Sequence, residues 1–159
     1  MMAKEMRKVD EMREVLGQLG AICDTGFALA LHIRFTRSAL LYRTYDQKWI
    51  EHYSEKGYFL SDPVVHWGLT NEGAVDWDAL KAQDAEGVLS DARKFGLFNG
   101  WSMSVGPATS RTISGHTKSG APFTADERRR IGTLVTLAHD MTNDIDAMTV
   151  DEVEALRAL

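Results

Sequence analysis

Hydrophobic and polar positions alternate along this chain with two different periods, and the first to appear is helical. From Met2 to about Ile22, apolar residues recur every three or four positions, at Met6, Val9, Met12, Leu16 and Leu19. This spacing predicts an amphipathic helix. After Gly26, the segments FALALHIRF and ALLYRTY are apolar and aromatic, as is typical of strands. Only residues 36–38 separate these segments, so we expect a hairpin.

Helical spacing returns in the segment from Asp46 to about Lys56. Trp49 and Tyr53 lie four positions apart there, and residues four apart share one face of a helix. Tyr45 stands one turn earlier, at the predicted junction between strand and helix. We therefore expect the three aromatic side chains to line one surface.

The next segment contains signals for the start and the end of a helix. Asp62 followed by Pro63 is typical of a helix start, with aspartate as the N-cap and proline in the first turn. Residues 71–76, NEGAVD, are predicted to be a loop. Residues 78–94 are predicted to form one further helix that is closed by Gly96.

The C-terminal half completes the predicted architecture. Two strands are predicted at residues 101–105 and 111–117, with a Gly-Pro turn between them. Thr124 and Glu127 then form a capping box for a long helix. Its apolar stripe consists of Ile131, Leu134, Val135, Ala138 and Met141. The order of elements predicts an α+β domain in which helices flank an antiparallel sheet.

The last residues, MTVDEVEALRAL, contain another capping box, formed by Thr149 and Glu152. An apolar stripe follows at Val153, Leu156 and Leu159. The favoured interpretation is the first helix of a truncated further domain, which divides the chain into residues 1–147 and a linker or domain start at residues 148–159. The alternative is a short helix that docks on this domain or on a partner subunit.

Composition places the chain among ordinary globular proteins. Its 159 residues favour one domain, with 44% hydrophobic and 26% charged residues and no apolar run of membrane-spanning length. The net charge of −5 disfavours nucleic-acid binding by these residues. The single cysteine, Cys23, allows no internal disulfide and suits a reducing compartment, so we expect a cytoplasmic protein.

Motifs for catalysis are absent from the sequence. There is no nucleophile elbow, no phosphate loop and no dinucleotide fingerprint, and the five histidines lack metal-ligand spacing. The run of three arginines at residues 128–130 is interpreted as a solvated helix face, with phosphate binding as the alternative. We therefore expect neither an enzyme nor a metal or cofactor.

The aromatic face with Asp62 carries two interpretations. Aromatic residues at helical spacing most often belong to a core, and Asp62 has a structural role as an N-cap. Tyrosine and tryptophan, however, have a polar end that needs a partner when it is buried. Turned inward, these ends and the carboxylate would form a cavity for a small neutral ligand with amide and carbonyl groups and an apolar tail.

Five residues stand at ordered spacing along this part of the chain: Tyr45, Trp49, Tyr53, Asp62 and Trp77. With this spacing, the chain resembles the autoinducer-binding domain of LuxR-type quorum-sensing transcription regulators. Residues 95–105, FGLFNGWSMSV, are similar to the family's passage from helix to strand. Residues 148–159 resemble the opening of its helix-turn-helix domain. The similarity extends from about residue 40 onward.

The resemblance implies an α/β/α sandwich, PAS- or GAF-like in shape, that encloses an N-acyl homoserine lactone. At the matching positions, Trp49 would donate to the lactone carbonyl, Asp62 would accept the ligand's amide N–H, and Tyr45 would donate to the acyl carbonyl. Tyr53 and Trp77 would pack around the head group. The resemblance also implies a homodimer that binds DNA through a C-terminal domain outside these residues.

The acyl end of the ligand is less defined by the resemblance. Ser114 is similar to a family hydroxyl near the acyl carbonyl. Candidate residues facing the tail are Leu40, Tyr42, Phe59, Val64 and Leu69. Each buried methylene would add about 0.8 kcal/mol, whereas the carboxylate hydrogen bond is worth about 1.5–3 kcal/mol. The polar groups would thus orient the ligand, and the tail would supply most of the affinity.

Two departures from the family pattern leave the ligand's identity open. The segment NEGAVDW lacks a proline that often precedes the second tryptophan, and SVGPATSRTISG lacks the family's usual apolar-proline and His-Gly run. An aromatic acyl group or a non-lactone ligand therefore stays an alternative. Two rival hypotheses are a sensory module for another metabolite or a protein partner, and an enzyme that hydrolyses such lactones.

Overall fold

A computed structural model describes residues 2–159, with side chains from Arg7 onward, so the side chain of Met6 lies outside the described part. Five strands form one antiparallel sheet, ordered β2-β1-β5-β4-β3. The strands are β1 (Gly26–Arg34), β2 (Arg37–Arg43), β3 (Gly73–Asp76), β4 (Trp101–Val105) and β5 (Arg111–Thr117). The predicted hairpin is confirmed, with residues 35 and 36 as its turn.

Helices cover both faces of this sheet. They are α1 (Met2–Ile22), α2 (Gln47–Glu55), α3 (Pro63–Thr70), α4 (Val88–Lys94), α5 (Ala125–Met141) and α6 (Val150–Arg157). Helices α1, α5 and α6 pack on one face, and α2, α3 and α4 lie on the other. The α+β prediction with a flanked antiparallel sheet is therefore confirmed.

Side-chain caps place the helix starts where the sequence predicts them. Asp46 accepts a hydrogen bond from the backbone N–H of Lys48 at the start of α2. Thr124 and Glu127 form the predicted capping box of α5. Each cap satisfies N–H groups that the first turn of a helix leaves without intrahelical partners.

The face beneath α1 and α5 holds the main hydrophobic core. Alternate residues of β1, namely Phe27, Leu29 and Leu31, are fully buried there. Met12 and Leu19 of α1 contribute to the same cluster, as the helical stripe predicts. Because successive strand residues point to opposite faces, the intervening Ala28 and Ala30 face α2 and α3.

One segment predicted as a loop is a strand. Residues 73–76 form β3 and pair with β4, with Gly73 opposite Ser104 and Asp76 opposite Trp101. This edge strand is short and mostly exposed, so it lacks the apolar alternation by which a strand is recognised in a sequence. Pairing with β4, rather than local composition, makes it a strand.

The prediction of a single helix for residues 78–94 is also wrong. The structure has a 3₁₀ helix at Trp77–Gln83, a turn, and then α4. Gly87 adopts φ +71°, which interrupts helical geometry. Asp84 then accepts hydrogen bonds from the N–H groups of Val88 and Leu89, and this starts a new helix.

The C-terminal helix α6 packs on this domain. Thr149 caps it, and Leu156 is fully buried against α1 and β2. The carbonyl of Leu156 accepts a hydrogen bond of 2.6 Å from the hydroxyl of Tyr42. No helix in the described part of the chain is both long and apolar enough to cross a membrane.

Candidate ligand-binding site

A cavity of about 610 Å³ lies between the sheet and helices α2, α3 and α4. This volume is within the usual range for small-molecule sites. The floor is formed by the small residues Ala28, Ala30 and Gly115 together with Ile113. Helix α4 contributes an apolar wall of Val88, Leu89 and Ala92. The floor and this wall suit an apolar group of a ligand.

All six residues singled out from the sequence border this cavity. They are Tyr45, Trp49, Tyr53, Asp62, Trp77 and Ser114. The three aromatic residues around α2 share one surface, as their spacing predicts, and the rings of Trp49 and Tyr53 meet edge-on with centroids 5.7 Å apart. Residues that are distant in sequence are thus brought to one wall.

Asp62 is both an N-cap and a buried carboxylate of the cavity wall. One oxygen accepts the N–H of Val64 at 2.8 Å, and the other accepts the hydroxyl of Tyr53 at 2.7 Å. Burial raises the pKa of Asp62, and these two hydrogen bonds oppose that shift. Each carboxylate oxygen can accept a further hydrogen bond, so the cap role leaves capacity for a ligand donor.

Trp49 and Tyr45 supply two donors without protein partners. The Trp49 side chain is 5% exposed, and burial raises the pKa of the Tyr45 hydroxyl well above its ordinary value. Neither the indole N–H nor this hydroxyl makes a hydrogen bond to any residue that the structure describes. Both residues line the cavity, and polar groups in such a site normally find a hydrogen-bond partner. The arrangement therefore fits a ligand that carries acceptors.

Trp77 forms another part of the wall, and its donor is already used. Its indole N–H donates to the hydroxyl of Ser102 at 2.8 Å. Trp77 can therefore contribute ring surface to a ligand but no free indole hydrogen bond. This geometry agrees with a packing role rather than a recognition role.

Ser114 borders the cavity, but its side chain points away from it. In the sheet it pairs with Leu29 and Met103, and both belong to the core beneath α1 and α5. Paired residues share a face of the sheet, so the Ser114 hydroxyl lies on the core side. The expectation that this hydroxyl approaches the acyl carbonyl is therefore not supported by the register. Gly115 occupies the cavity face instead.

The candidate tail-facing residues divide between the two faces. Phe59 and Val64 line the cavity. Leu40 and Tyr42 belong to the opposite core, so their assignment to the cavity is wrong. Leu69 packs beside the cluster around Ile113 and does not line the cavity. Strand register separates these residues, and apolar character alone does not distinguish them.

The floor residues were missed from the sequence although a signal for them exists. In Ala28-Leu29-Ala30-Leu31, small and large apolar residues alternate with the period of a strand. Such alternation predicts one face with large side chains and one with small ones. The space above the small face is the cavity.

A polar cluster beside the cavity joins α2, α4 and a short 3₁₀ helix at Tyr58–Leu60. His52 of α2 pairs with Asp91 of α4, and the hydroxyl of Tyr58 donates to the same carboxylate at 2.8 Å. The cluster links the helix that carries Trp49 and Tyr53 to the helix that forms the apolar wall. Among the described side chains, no group of three or more His, Cys, Asp or Glu could hold a metal ion.

Comparison with protein families gives a match over residues 13–143, to the family described as the autoinducer binding domain. The chain belongs to this family. The domain is the ligand-binding domain of LuxR-type transcription regulators, and the resemblance stated from the sequence is confirmed.

Relatives of the autoinducer-binding domain include the transcriptional activator protein SolR of Ralstonia solanacearum. It is 29% identical over 138 residues, which cover 84% of this chain and 56% of that protein. The transcriptional activator protein VanR of Vibrio anguillarum is 31% identical over 72 residues, 44% of this chain and 30% of that protein. The chain spans about half the length, or less, of the curated relatives it matches.

Solved structures share the fold. SdiA in complex with octanoyl-rac-glycerol matches with a TM-score of 0.63 and 21% identity, over 93% of this chain and 68% of that chain. The N-acylhomoserine lactone dependent LuxR family factor CepR2 from Burkholderia cenocepacia matches with a TM-score of 0.60 and 18% identity, over 89% of this chain and 94% of that chain. At these identities the similarity concerns the fold.

Proposed function

We propose that this domain binds an N-acyl homoserine lactone in the cavity and acts as the sensor of a quorum-sensing regulator. The observation that carries the proposal is the polar set on one wall of a predominantly apolar cavity. Two donors without protein partners, on Trp49 and Tyr45, lie in the same wall as the buried carboxylate of Asp62.

The polar groups of such a ligand match this set in number and kind. An N-acyl homoserine lactone has one amide N–H and two carbonyls. Asp62 would accept the amide N–H, Trp49 would donate to the lactone carbonyl, and Tyr45 would donate to the acyl carbonyl. Tyr53 and Trp77 would pack against the head group. Each role uses a group that the protein leaves free or able to accept one more bond.

The apolar part of the cavity supports a ligand with a tail. Ala28, Ala30 and the α4 wall offer hydrocarbon surface next to the polar set. Each buried methylene contributes roughly 0.8 kcal/mol, so affinity should grow with tail length until the chamber is full. A head group alone should bind weakly.

A thermal-shift titration tests the proposal directly. The purified domain is titrated with N-acyl homoserine lactones of increasing tail length, with homoserine lactone as the control. A ligand that binds only the folded state stabilises it by about 2.7 kcal/mol at 100 times its Kd. We expect a rise in melting temperature that depends on tail length. A folded, ligand-free domain that no lactone shifts would contradict the proposal.

Substitution of Asp62 by asparagine tests the polar contact itself. Asparagine is an equally good N-cap, so the fold should persist, although its amide nitrogen cannot accept the hydroxyl of Tyr53 as the carboxylate does. Loss of the charge-assisted hydrogen bond, worth about 1.5–3 kcal/mol, should weaken lactone binding by roughly 10-fold to 100-fold. Isothermal titration calorimetry measures this change.

The matched control for that substitution is Asp46→Asn. Asp46 caps α2 through the N–H of Lys48 and does not line the cavity. It makes the same chemical change at another N-cap, so affinity should stay within about twofold of the unaltered protein. Equal affinity in both variants would show that Asp62 is only a cap.

A second candidate ligand is a monoacylglycerol. It is favoured by the shared fold with SdiA, whose structure holds octanoyl-rac-glycerol. Glycerol esters have an acyl carbonyl and a tail but no amide N–H for Asp62. Octanoyl-rac-glycerol therefore belongs in the same titration. If it binds and lactones do not, the sensor role stands and the ligand class changes.

We also propose that ligand binding favours a homodimer and DNA binding through a separate domain of the regulator. The relatives named as transcriptional activators are longer than the segments matched here, which leaves room for such a domain in those proteins. Sedimentation velocity with and without lactone tests the first step. A monomer under both conditions would contradict it.

A further inference from the structure

Gly115 lies in the middle strand of the sheet, on the face that lines the cavity. It pairs with Ala28 on one side and Ser102 on the other. Its backbone is not in the left-handed region that favours glycine, so backbone conformation does not explain this residue. The limited space explains it, because a Cβ at this position would lie 3.0 Å from the hydroxyl oxygen of Tyr45.

The other end of Tyr45 is fixed by a second glycine. Gly26 adopts φ +115°, and a Cβ there would lie 2.8 Å from the Cα of Tyr45. The backbone of Tyr45 therefore sits directly against β1. With its Cα held in this way, the ring reaches across the sheet until its hydroxyl rests over Gly115.

We propose that Gly115 is a positioning residue for the Tyr45 hydroxyl, the group that would donate to the acyl carbonyl of the ligand. The inference rests on the proposed function, which supplies the acceptor. Because Gly115 has no side chain, the space above its Cα is free for the hydroxyl of Tyr45. Gly115 itself offers no side-chain polar group to the ligand.

An added methyl group at Gly115 would act mainly on Tyr45. At 3.0 Å the hydroxyl oxygen must move by a few tenths of an ångström, whereas the same methyl lies 3.5 Å from both Ser102 Oγ and the Trp77 ring. The latter distances are ordinary contacts. Hydrogen bonds require a narrow range of distance and angle, so the Tyr45 donor is the one disturbed.

A double-mutant cycle tests this assignment. The domain and its Gly115→Ala, Tyr45→Phe and combined variants are titrated with N-octanoyl homoserine lactone by calorimetry. Gly115→Ala should raise Kd about 3-fold to 10-fold, as expected for one lost hydrogen bond. In the Tyr45→Phe background, which lacks the hydroxyl, the same change should alter Kd by less than about twofold.

Equal losses in both backgrounds would overturn the inference, because the methyl group would then act on the ligand or on the strand. No loss in either would overturn it too. If the unaltered domain bound no lactone, the proposed function would fail and the inference with it. Normal binding without coupling contradicts the inference alone, so the two failures are distinguishable.

Thermal melting provides an independent test that still works if the single variant Gly115→Ala folds poorly. Tyr45→Phe removes the oxygen that the methyl group meets, so the double variant should recover melting temperature lost by Gly115→Ala. If the double variant did not recover melting temperature, the proposed contact between Gly115 and the Tyr45 hydroxyl would be contradicted. Gly132→Ala is the matched control, since its methyl would meet Met103 at 3.5 Å near the opposite face and should leave Kd unchanged.

Discussion

The two faces of the sheet are made by the same strands but are filled in opposite ways. Beneath α1 and α5, the large side chains of Phe27, Leu29 and Leu31 are fully buried in a continuous core. On the other face, Ala28 and Ala30 leave a chamber of about 610 Å³. A strand's period of two thus allows one segment to build a stable core and a binding cavity at once.

The difference also separates stability from recognition. The core face buries the apolar side chains of the sheet and of the helices packed on it. Burial of apolar surface is the main favourable contribution to folding. The cavity face holds donors and a carboxylate, and its apolar area is left for a ligand to bury. Changes on the first face should therefore alter folding, and changes on the second should mainly alter binding.

The largest effect is expected when a core residue is shortened. Leu29→Ala removes a fully buried side chain and should lower the free energy of unfolding by about 2–5 kcal/mol. Leu41→Ala, at a half-exposed residue that lines the cavity, should lower it by less than about 1 kcal/mol. Urea denaturation measures both. Equal losses would remove the distinction between the faces.

A smaller loss of stability is expected when the pH is lowered, because the core face contains a buried histidine. Burial lowers the pKa of His116 from 6.5 to about 4. In the unfolded chain His116 therefore binds a proton below about pH 6.5, whereas in the folded domain it binds one only below about pH 4. Stability is lost as the pH falls through this window, by about 2 kcal/mol between pH 7 and pH 5.

The variant His116→Asn isolates this contribution. Its amide can still donate to the carbonyl of Trp101, which accepts from Nδ1 of His116 at 2.9 Å. Urea denaturation at several pH values should give a shallower decline for the variant than for the unaltered domain. Parallel curves would assign the acid sensitivity to other groups.

The smallest effect is expected at Asp62, and it has the opposite sign. Burial raises the pKa of Asp62, so the folded, ligand-free domain binds a proton above pH 3.8 that the unfolded chain has already released. This contribution reduces stability as the pH rises through that window. The hydrogen bonds from Tyr53 and Val64 oppose the shift that burial causes.

Melting curves of the ligand-free domain and of Asp62→Asn test this prediction. The variant cannot ionise, so its melting temperature relative to that of the unaltered domain should rise between pH 4 and neutral pH. A difference that does not change with pH would show that ionisation of Asp62 does not influence folding.

Local signals were sufficient for much of the fold. The helix starts at Asp62 and Thr124 were predicted because capping chemistry involves only neighbouring residues, and the helix after Asp46 was predicted from the spacing of its aromatic residues. Strands β1 and β2 were predicted because their segments are apolar and aromatic, and β4 and β5 were predicted on either side of a Gly-Pro turn. Strand β3 and the break before α4 were missed, since one depends on pairing with β4 and the other on the turn at Gly87.

The candidate site was predicted in its residue types but not in its geometry. The ordered spacing from Tyr45 to Trp77 led to the family. It did not reveal that Ser114 faces the core, that Leu40 and Tyr42 lie on the wrong side, or that Ala28 and Gly115 form the floor. These outcomes follow from strand register, in which a shift of one residue exchanges the two faces.

By itself, the sequence determined the caps, the amphipathic helices, the main strands and the resemblance that its aromatic spacing carries, because each depends on residues close together along the chain. Only the tertiary structure decided which alternate residues enclose the chamber and which fill the core. It also decided that two donors remain without protein partners beside the Asp62 carboxylate. Those properties depend on contacts between distant segments, which neither composition nor period specifies.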